Sequence, residues 1–184
     1  RRQRQMCIRD RFISTPTETD YEPSYEMIAE AFKDVPHSTH REHEWVKRLR
    51  MSPNYHFELE VIAKTEDGTL IGHAMCTEVK IQNEDKTYTA LALAPLAVVK
   101  AYRNKGLGKA LVQALEERAL SEEYTTILVL GDGAYYEKLG YEVAENYDIY
   151  LPPQMGETEL HVKFLWDALA DLPNGTVVLS LIHI

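Results

Sequence analysis

The stretch VVKAYRNKGLGKALVQAL (Val98–Leu115) joins an apolar, strand-like run to an amphipathic helix through a loop rich in glycine and cations. Gly106 and Gly108 stand where the helix should begin, and glycine lets the main chain come close to a ligand. Helix N-termini carry unpaired N–H groups and a partial positive charge, which together attract anions. The stretch therefore predicts either an anion-binding loop or a tight turn alone.

Two established phosphate-binding patterns do not fit this loop. The P-loop pattern needs a serine or threonine directly after its lysine, but Lys109 is followed by Ala110. The dinucleotide pattern G-x-G-x-x-G needs a third glycine at the position of Leu111. The pattern that remains is R-x-x-G-x-G, in which Arg103, Lys105 and Lys109 add positive charge.

Outward from the loop, the chain predicts alternating helices and strands. Four helices are expected. The first is capped at Thr19 or Asp20, the second is capped at Ser38 or Thr39, and the third starts at Leu107. The fourth is a short helix in GDGAYYEKLG, which ends at Gly140. Strands are expected in FIS, in a hairpin FELEVIAKTEDGTLIGHAMCTEVKI that turns at Asp67-Gly68, and in TYTALALAPLAVV, TTILVL, YEVAENYDIYL and TELHVKFLW.

Pro95 lies inside the long apolar strand, which is expected to be central because both of its faces are apolar. Proline lacks the N–H group that a strand donates to its neighbour, so it normally occurs at edges and bulges. The pairing of this strand should therefore open near Pro95. An extended, amide-bearing ligand could then hydrogen-bond to the free main chain as an added strand does.

Both ends of the chain resemble translated sequencing-adapter sequence. The opening RRQRQMCIRD and the closing LSLIHI read, codon for codon, as the two orientations of one transposase-type adapter. Residues 1–11 and 179–184 are therefore expected to be adapter-derived scars, and residues 12–178 to form a single domain. The alternative for the first segment is a basic arm that binds nucleic acid.

The charge balance argues against nucleic acid and anionic membranes as partners. The 184-residue chain has 20 Lys and Arg against 29 Asp and Glu, a net charge of −9. Without residues 1–11 the balance is 15 against 28, or −13, because that segment holds five arginines and one aspartate. Such a chain suits cationic small molecules better. Cys76 is the only cysteine between the two ends, so no disulfide framework is expected and a cytoplasmic location is predicted.

The loop and one later segment resemble a known family. LAVVKAYRNKGLGKAL resembles motif A of the GCN5-related N-acetyltransferases, the GNAT superfamily, and AYYEKLGY resembles their later tyrosine segment. LGDGAYYEKLGY is closest to a subgroup with Gly-Asp where many members have Asn. The order of predicted elements agrees with the superfamily from about Phe12 to about Val178.

The resemblance implies an α/β fold of the GNAT type. This fold has a mixed, mostly antiparallel central sheet of about six or seven strands, about four flanking helices and a splayed central strand pair. It also implies acetyl-CoA as co-substrate, no metal, and compatibility with a homodimer. The residues implied to bind the pantetheine arm through their main chain are Leu96, Ala97 and Val98. Those implied to hold the pyrophosphate through their N–H groups are Arg103, Asn104, Lys105, Gly106, Leu107, Gly108 and Lys109.

Tyr136 aligns with the usual general acid of the superfamily. A phenol has a pKa near 10, so it stays protonated at neutral pH and can donate its proton to a leaving thiolate. Tyr135 is the alternative, because neighbours on a helix point about 100° apart and only one of them can face the sulfur. Asp132 is expected to cap the short helix, or else to contact the cofactor.

The general base is left open among several candidates. Glu58, Glu60 and Glu78 are predicted to lie on strands, with the first two on one face because side chains alternate. His73, which follows a glycine on a predicted strand, is either a base or a packed, hydrogen-bonded residue. A chain of water molecules with no single base is a further alternative.

The segment HSTHREHEW suggests a metal site at first sight, since it contains three histidines at intervals of three. The zinc pattern H-E-x-x-H fails, because Lys47 stands four residues after His43. A polar helix face is the favoured interpretation over zinc. The segment lies between the first two predicted helices, a region that often walls the acceptor site in such enzymes.

The expected function is transfer of an acetyl group from acetyl-CoA to a primary amine of a small molecule or peptide by direct attack. No covalent enzyme intermediate is required, which agrees with the lack of a nucleophile motif. The alternative from another class is a non-catalytic acyl-CoA-binding sensor with the same fold.

Overall fold

The chain forms ten strands and four α-helices within residues 6–8, 11–156 and 158–178, which are those that the computed structural model describes. The strands are β1 (Met6–Ile8), β2 (Arg11–Ser14), β3 (Glu60–Thr65), β4 (Leu70–Gln82), β5 (Thr87–Val98), β6 (Thr126–Leu130), β7 (Glu142–Val143), β8 (Ile149–Tyr150), β9 (Leu160–Phe164) and β10 (Gly175–Val178). The helices are α1 (Glu18–Phe32), α2 (Glu42–Arg50), α3 (Leu107–Ser121) and α4 (Gly133–Lys138). None of these helices is both long and apolar enough to cross a bilayer.

The chain divides into two compact units. The first comprises Arg1–Cys76 and Pro95–Arg118, and the second comprises Thr77–Ala94 and Ala119–Ile184. The chain passes from one unit to the other within β4, β5 and α3, so each of these elements contributes to both. The prediction that residues 12–178 form a single domain stays a prediction.

In the first unit, β2, β3 and the first half of β4 pair antiparallel in chain order. The predicted β3–β4 hairpin is confirmed, with Ile62 opposite His73. Its turn uses Gly68 at φ +88°, a left-handed conformation that glycine adopts without steric cost. The Asp67 carboxylate accepts a hydrogen bond of 2.9 Å from the Thr69 hydroxyl, which closes the turn.

The segment Met6–Ile8 pairs antiparallel with β2. Residues 1–11 were interpreted as an adapter-derived scar and left out of the predicted domain; within them, these three residues and Arg11 are strand residues. Such pairing uses main-chain groups that any sequence offers to an open edge, so it does not depend on particular side chains. The remaining parts of the two expected scars, 1–5, 9–10 and 179–184, lie outside the described residues, and their adapter origin stays a prediction.

The N-cap of helix α1 lies two or three residues before the caps predicted at Thr19 or Asp20. This N-cap is Thr17, whose N–H group donates to the Asp20 carboxylate at 2.9 Å. Asp20 therefore stabilises the helix start from within the first turn instead of acting as the cap. The same carboxylate pairs with Lys64 of β3 at 2.8 Å, which ties the start of α1 to the sheet of the first unit.

Helix α2 starts later than the caps predicted at Ser38 or Thr39. Its N-cap is Arg41, because His40 adopts a left-handed φ of +59°, which a helix cannot contain. Ser38 precedes the helix and still contacts its first turn, since its hydroxyl donates to the Glu42 carboxylate at 2.7 Å.

Helix α3 packs its apolar face on β4 within the first unit. Leu107 and Leu111 are buried, and both would lie within 3.3 Å of a β-carbon placed on Gly72. The lack of a side chain at Gly72 therefore permits the close approach of helix and strand. This contact fixes the first turn of α3, which follows the glycine loop.

The second unit contains the remaining strands. β5 and β6 pair parallel, β6 pairs antiparallel with β9, and β9 pairs antiparallel with β7. β10 pairs with both β4 and β8. The apolar side chains that form the core of this unit are Val79, Ile81, Ala90, Leu128, Ala144, Ile149, Leu160, Val162 and Val177.

The ladder between β5 and β6 is short. It contains two residue pairs, Leu91 with Ile127 and Ala92 with Leu128, although β5 continues to Val98. The pairing ends three residues before Pro95, which cannot donate a ladder hydrogen bond. The prediction that the pairing of this strand opens near the proline agrees with this arrangement.

The strand count exceeds the six or seven predicted, for identifiable reasons. YEVAENYDIYL was predicted as one strand, but a 3-10 turn at Ala144–Tyr147 and a left-handed Asp148 break it into β7 and β8. β10 was not predicted, because it is only four residues long and begins at the glycine of an Asn-Gly pair, which indicates a turn. Mixed pairing that is mostly antiparallel and the four flanking helices were predicted correctly.

Replacing Gly175 with alanine should lower the free energy of unfolding by about 1–3 kcal/mol. Gly175 has a φ of +126°, and an added β-carbon would lie 2.3 Å from the Gln82 carbonyl oxygen. Urea denaturation measures the loss. Gly68→Ala is the matched control, because Gly68 also has positive φ but no atom lies within 4 Å of its added β-carbon. An equal loss in both variants would show that the Gln82 contact has no effect.

Candidate active site

The glycine loop of the first unit leads from β5 into α3 through a 3-10 turn at Lys100–Tyr102. Asn104 at φ +62° and Gly106 at φ +82° are both left-handed, and they turn the chain into the helix. The helical hydrogen bonds begin at Ala110, whose N–H group donates to the Gly106 carbonyl at 3.1 Å. The N–H groups of the first helical turn, which precede Ala110, have no acceptor within the helix, because an α-helical N–H group bonds to the carbonyl four residues earlier. This arrangement can bind an anion.

Arg103 braces the loop from the side. Its Nε donates to the Val98 carbonyl at 2.9 Å, and its Nη2 donates to the Ala31 carbonyl at the end of α1. Its Nη1 pairs with the Asp34 carboxylate at 3.2 Å. Desolvation would raise the pKa of Asp34, but the hydrogen bond and charge of Arg103 outweigh it and hold that pKa below its usual range. The Arg103 guanidinium is thus committed to protein groups.

The N–H group of Arg103 is also engaged, because it donates to the Lys100 carbonyl at 3.2 Å. The Arg103 N–H group is therefore less suited to hold a pyrophosphate than the N–H groups of the segment 104–109, which follows it. The segment 104–109 carries the positive charges of Lys105 and Lys109. The Nζ of Lys105 donates to the Ala101 carbonyl at 3.2 Å, across the same loop.

The end of β5 has the alternation expected of a strand. Ala97 is buried, while Leu96 and Val98 are half-buried. The Val98 carbonyl accepts from Arg103, and the next N–H group, that of Val99, donates to the Ile71 carbonyl at 3.0 Å. The end of β5 is thereby fixed within the first unit.

The tyrosine segment belongs to the second unit and forms α4. The predicted cap is confirmed, because the Asp132 carboxylate accepts a hydrogen bond of 3.1 Å from the Tyr135 N–H group. Gly140 at φ +93° follows the helix, as predicted.

The two neighbouring tyrosines have different surroundings. Tyr136 is buried and lies edge-on to the rings of Tyr135 and Tyr141, at 5.2 and 5.6 Å between centroids. Tyr135 is half-buried, and its pKa is raised by burial and by the charge of Asp132. The buried Tyr136 ring thus contacts two other rings, and such packing can position a group for proton transfer.

Glu60, one of the candidate bases, lies at the centre of a buried network in the first unit. Its carboxylate accepts hydrogen bonds from Arg50 at 2.7 Å and from the Tyr55 hydroxyl at 2.7 Å. It also lies 2.6 Å from Nε2 of His73. Burial alone would raise the pKa of Glu60, but the hydrogen bonds and charges of His73 and Arg50 lower it to about 2. A carboxylate so stabilised is a poor proton acceptor.

Arg50 was not singled out from the sequence, although it organises this network. Its guanidinium lies 4.2 Å from the Tyr21 ring centroid and 5.1 Å from that of Tyr25, both on α1. It also donates to the Ser24 hydroxyl at 3.0 Å. Its partners come from α1 and from β3, so no pattern local to α2 could have indicated the role.

Of the other two carboxylate candidates, Glu78 lies on a strand as predicted and Glu58 does not. Glu58 lies in a 3-10 turn at Phe57–Leu59 and not on a strand, so the shared strand face predicted for it and Glu60 is wrong. Glu78 does lie on β4, where it accepts hydrogen bonds from the Tyr124 hydroxyl at 2.8 Å and from Lys80 at 3.0 Å.

The histidine-rich segment does not form one helix face. His37 and His40 are exposed, have positive φ and precede α2, so only His43 belongs to the helix. None of the three is part of a group of three metal-ligating side chains among the residues with a described position.

Cys76 is not a candidate nucleophile. Its thiol is buried, and its pKa is raised by that burial and by the charge of Glu116. A thiol held in its neutral form is unreactive.

The comparison with known families defines the class of protein. The profile of the acetyltransferase (GNAT) family matches residues 19–141, which include the glycine loop and the tyrosine segment. The chain belongs to this family.

Particular relatives agree with this assignment. The chain is 33% identical over 125 residues to the uncharacterized N-acetyltransferase YhbS of Escherichia coli strain K12, an alignment that covers 68% of this chain and 72% of YhbS. It is also 32% identical over 84 residues to the uncharacterized N-acetyltransferase YjhQ of the same strain, covering 46% of each chain.

Solved structures show the same fold. The crystal structure of the GNAT family N-acetyltransferase YhbS from E. coli in complex with CoA matches with a TM-score of 0.78 and 25% identity, over 96% of this chain and 90% of that one. A GNAT family acetyltransferase from Brucella melitensis in complex with acetyl-CoA matches with a TM-score of 0.76 and 21% identity, over 95% and 98%.

Proposed function

We propose that this protein is an acetyl-CoA-dependent N-acetyltransferase that acts on a primary amine of a small molecule or peptide. The observation that carries the proposal is the N-terminus of α3. Its first-turn N–H groups follow a left-handed glycine, and Lys105 and Lys109 stand beside them. This is the donor set that a diphosphate requires, in a chain that belongs to the acetyltransferase family.

The cofactor is proposed to bind along the end of β5 and the glycine loop. Main-chain groups of Leu96, Ala97 and Val98 pair with the pantetheine amides, as an added strand would. The N–H groups of the segment 104–109 hold the pyrophosphate. Arg103 is proposed to stabilise the shape of the loop through its contacts with Val98 and Asp34, and not to bind the pyrophosphate itself.

The reaction is direct attack of a neutral amine on the thioester carbonyl. The C–N bond forms first and makes the carbonyl oxygen negative, and the C–S bond of this tetrahedral intermediate then breaks. The amine loses one proton, and the CoA thiolate gains one. The Val98 N–H group is proposed to stabilise the oxygen that becomes negative in between. Tyr136 is proposed to donate the proton to the thiolate.

The amine proton is proposed to leave through water and not to a single carboxylate. Glu60 has a pKa of about 2 and three protein partners, so it has little affinity for a further proton. The acceptor is proposed to be cationic in its resting form, since the chain carries a net charge of −9. The single buried cysteine between the ends and the use of acetyl-CoA favour a cytoplasmic location.

Two measurements on one preparation test this function. Calorimetric titration with CoA and with acetyl-CoA measures binding, and thiol release over a panel of cationic amines and peptides measures turnover. The proposal predicts binding together with amine-dependent thiol release. Binding without turnover on any amine would favour the non-catalytic sensor, and no binding would refute both functions.

Gly108→Asp should weaken CoA binding by about 10–100-fold, because its carboxylate would stand at the proposed diphosphate position. An acidic residue in the first turn of a helix is favourable for the helix itself, so the variant should remain folded. Gly108→Ala is the matched control at the same position without the charge. Equal CoA affinity in the aspartate and alanine variants would contradict the proposed anion site.

A further inference from the structure

Three metal-ligating side chains of the second unit converge on one small volume. Nε2 of His161, on β9, lies 2.8 Å from a carboxylate oxygen of Glu137 on α4. It lies 3.4 Å from a carboxylate oxygen of Glu159, which precedes β9. The three potential ligand atoms all lie within 4.8 Å of one another. One imidazole nitrogen and two carboxylate oxygens are thus gathered where a single ion could touch all three.

The three side chains are exposed to different degrees. The His161 side chain is 1% exposed, whereas those of Glu137 and Glu159 are 53% and 57% exposed. The imidazole is therefore a fixed ligand at the base of the site, and the carboxylates stand at its open side. A cation placed among the three ligand atoms would be attracted by both carboxylates.

The surrounding main chain leaves room for this cluster. A β-carbon on Gly133 would lie 2.7 Å from the Glu159 carboxylate and 2.7 Å from the His161 ring. Only a residue without a side chain permits the cluster in this position. In addition, Nδ1 of His161 is buried and has no hydrogen-bond partner among the described residues. The ring nitrogen that faces the two carboxylates, and that is placed to act as a ligand, is Nε2.

We propose that Glu137, Glu159 and His161 form a binding site for a divalent transition metal, with Zn²⁺ as the best match. Zinc accepts imidazole nitrogen together with carboxylate oxygen, and three protein ligands leave a fourth position for water. Magnesium and calcium prefer sites made of oxygen alone. This proposal departs from the expectation of no metal, and it does not depend on the proposed acetyl transfer.

The metal would join two elements of the second unit. Glu137 is the residue after Tyr136 on α4, and His161 is part of β9. The side-chain contacts between these elements also include a hydrogen bond of 2.9 Å from Lys163 to the Leu139 carbonyl. An ion at the cluster would add a second connection and hold α4, with its tyrosines, against β9.

Titration of the tag-free full chain with ZnCl₂ in a calorimeter tests the site. We expect one zinc ion per chain at this site, and weaker binding of MgCl₂. Glu137→Gln and Glu159→Gln change exposed side chains and should leave the fold intact, yet each should weaken zinc binding by at least about tenfold. His161→Gln should abolish binding. His40→Gln is the matched control, because it removes an exposed histidine elsewhere and should leave the affinity unchanged.

Thermal unfolding gives a second measurement. Zinc should raise the unfolding temperature of the wild-type protein and of His40→Gln by equal amounts, and that of Glu137→Gln and Glu159→Gln by less at the same zinc concentration, because the stabilisation grows with the ratio of zinc concentration to Kd. No zinc binding by the wild-type protein would overturn the proposal. Wild-type zinc affinity in both glutamine variants would overturn it as well, by assigning the ion to other groups.

Discussion

Replacing Tyr136 with phenylalanine should lower the rate of acetyl transfer by roughly 10²–10⁴-fold, the usual contribution of a positioned general acid. The substitution removes the phenolic proton and keeps the aromatic ring, so the edge-on contacts with Tyr135 and Tyr141 remain. The affinity for CoA should change little, because the glycine loop is proposed to bind the cofactor. Steady-state thiol release and calorimetric titration with CoA, done on the same preparation, separate the two effects.

Tyr135→Phe is the matched control for this experiment. It removes the same hydroxyl group from the neighbouring residue, which points about 100° away on the helix. We expect it to retain most of the activity. If Tyr135→Phe loses the rate while Tyr136→Phe keeps it, the roles of the two tyrosines are the reverse of those proposed. If both variants remain active, neither phenol protonates the thiolate.

Arg50→Met should lower the free energy of unfolding by about 3–5 kcal/mol, the usual cost of removing one partner of a buried ion pair. The side chains of Arg50 and Glu60 are 4% and 0% exposed, so the loss of the guanidinium leaves a buried carboxylate without one of its charged partners. Methionine retains much of the aliphatic volume. Urea denaturation at pH 7, with the slope of the transition checked for two-state behaviour, measures the effect.

Arg41→Met is the control for this substitution. Arg41 pairs with Glu44 at 2.6 Å, but the two side chains are 71% and 49% exposed, and such pairs contribute little to stability. An equal loss in the two variants would show that burial of the Arg50 pair has no special effect.

The same network predicts how stability depends on acid. The pKa of Glu60 is lowered to about 2 in the folded protein from its ordinary value of 4.5, so the contribution of Glu60 to stability is fully present above pH 4.5. That contribution is lost progressively as the pH falls from 4.5 towards 2, because the unfolded chain then binds a proton that the folded chain does not. Glu60→Gln should make the unfolding free energy less dependent on pH in this range. Unchanged pH dependence in the glutamine variant would assign the effect to other carboxylates.

Local patterns predicted the parts of the molecule whose signals are local. The turn at Asp67-Gly68, the cap at Asp132 and the start of α3 at Leu107 each depend on residues a few positions apart, and each was predicted correctly. The α2 cap was misplaced, because His40 takes a left-handed conformation that its sequence neighbours do not demand.

Long-range partnerships could not be predicted in the same way. Glu60 appeared to be a strand carboxylate that could accept a proton, yet Arg50 and His73 are 10 and 13 residues away and decide its charge state. Glu137 and His161 are 24 residues apart and meet only because α4 and β9 are neighbours in the fold. Neither pair leaves a periodic trace in the sequence, because their spacing is set by tertiary packing.

Because Arg103 holds the glycine loop through contacts outside the loop, the sequence motif alone should not reproduce the loop in another protein. The arginine takes its partners from the end of α1, at Ala31 and Asp34, and from Val98. A synthetic peptide of Val98–Leu115 would carry every glycine and lysine of the motif, but it would lack the aspartate and the carbonyl that anchor the arginine. Any graft of this loop into another scaffold therefore also has to bring the segment that holds Ala31 and Asp34, the latter 69 positions before Arg103.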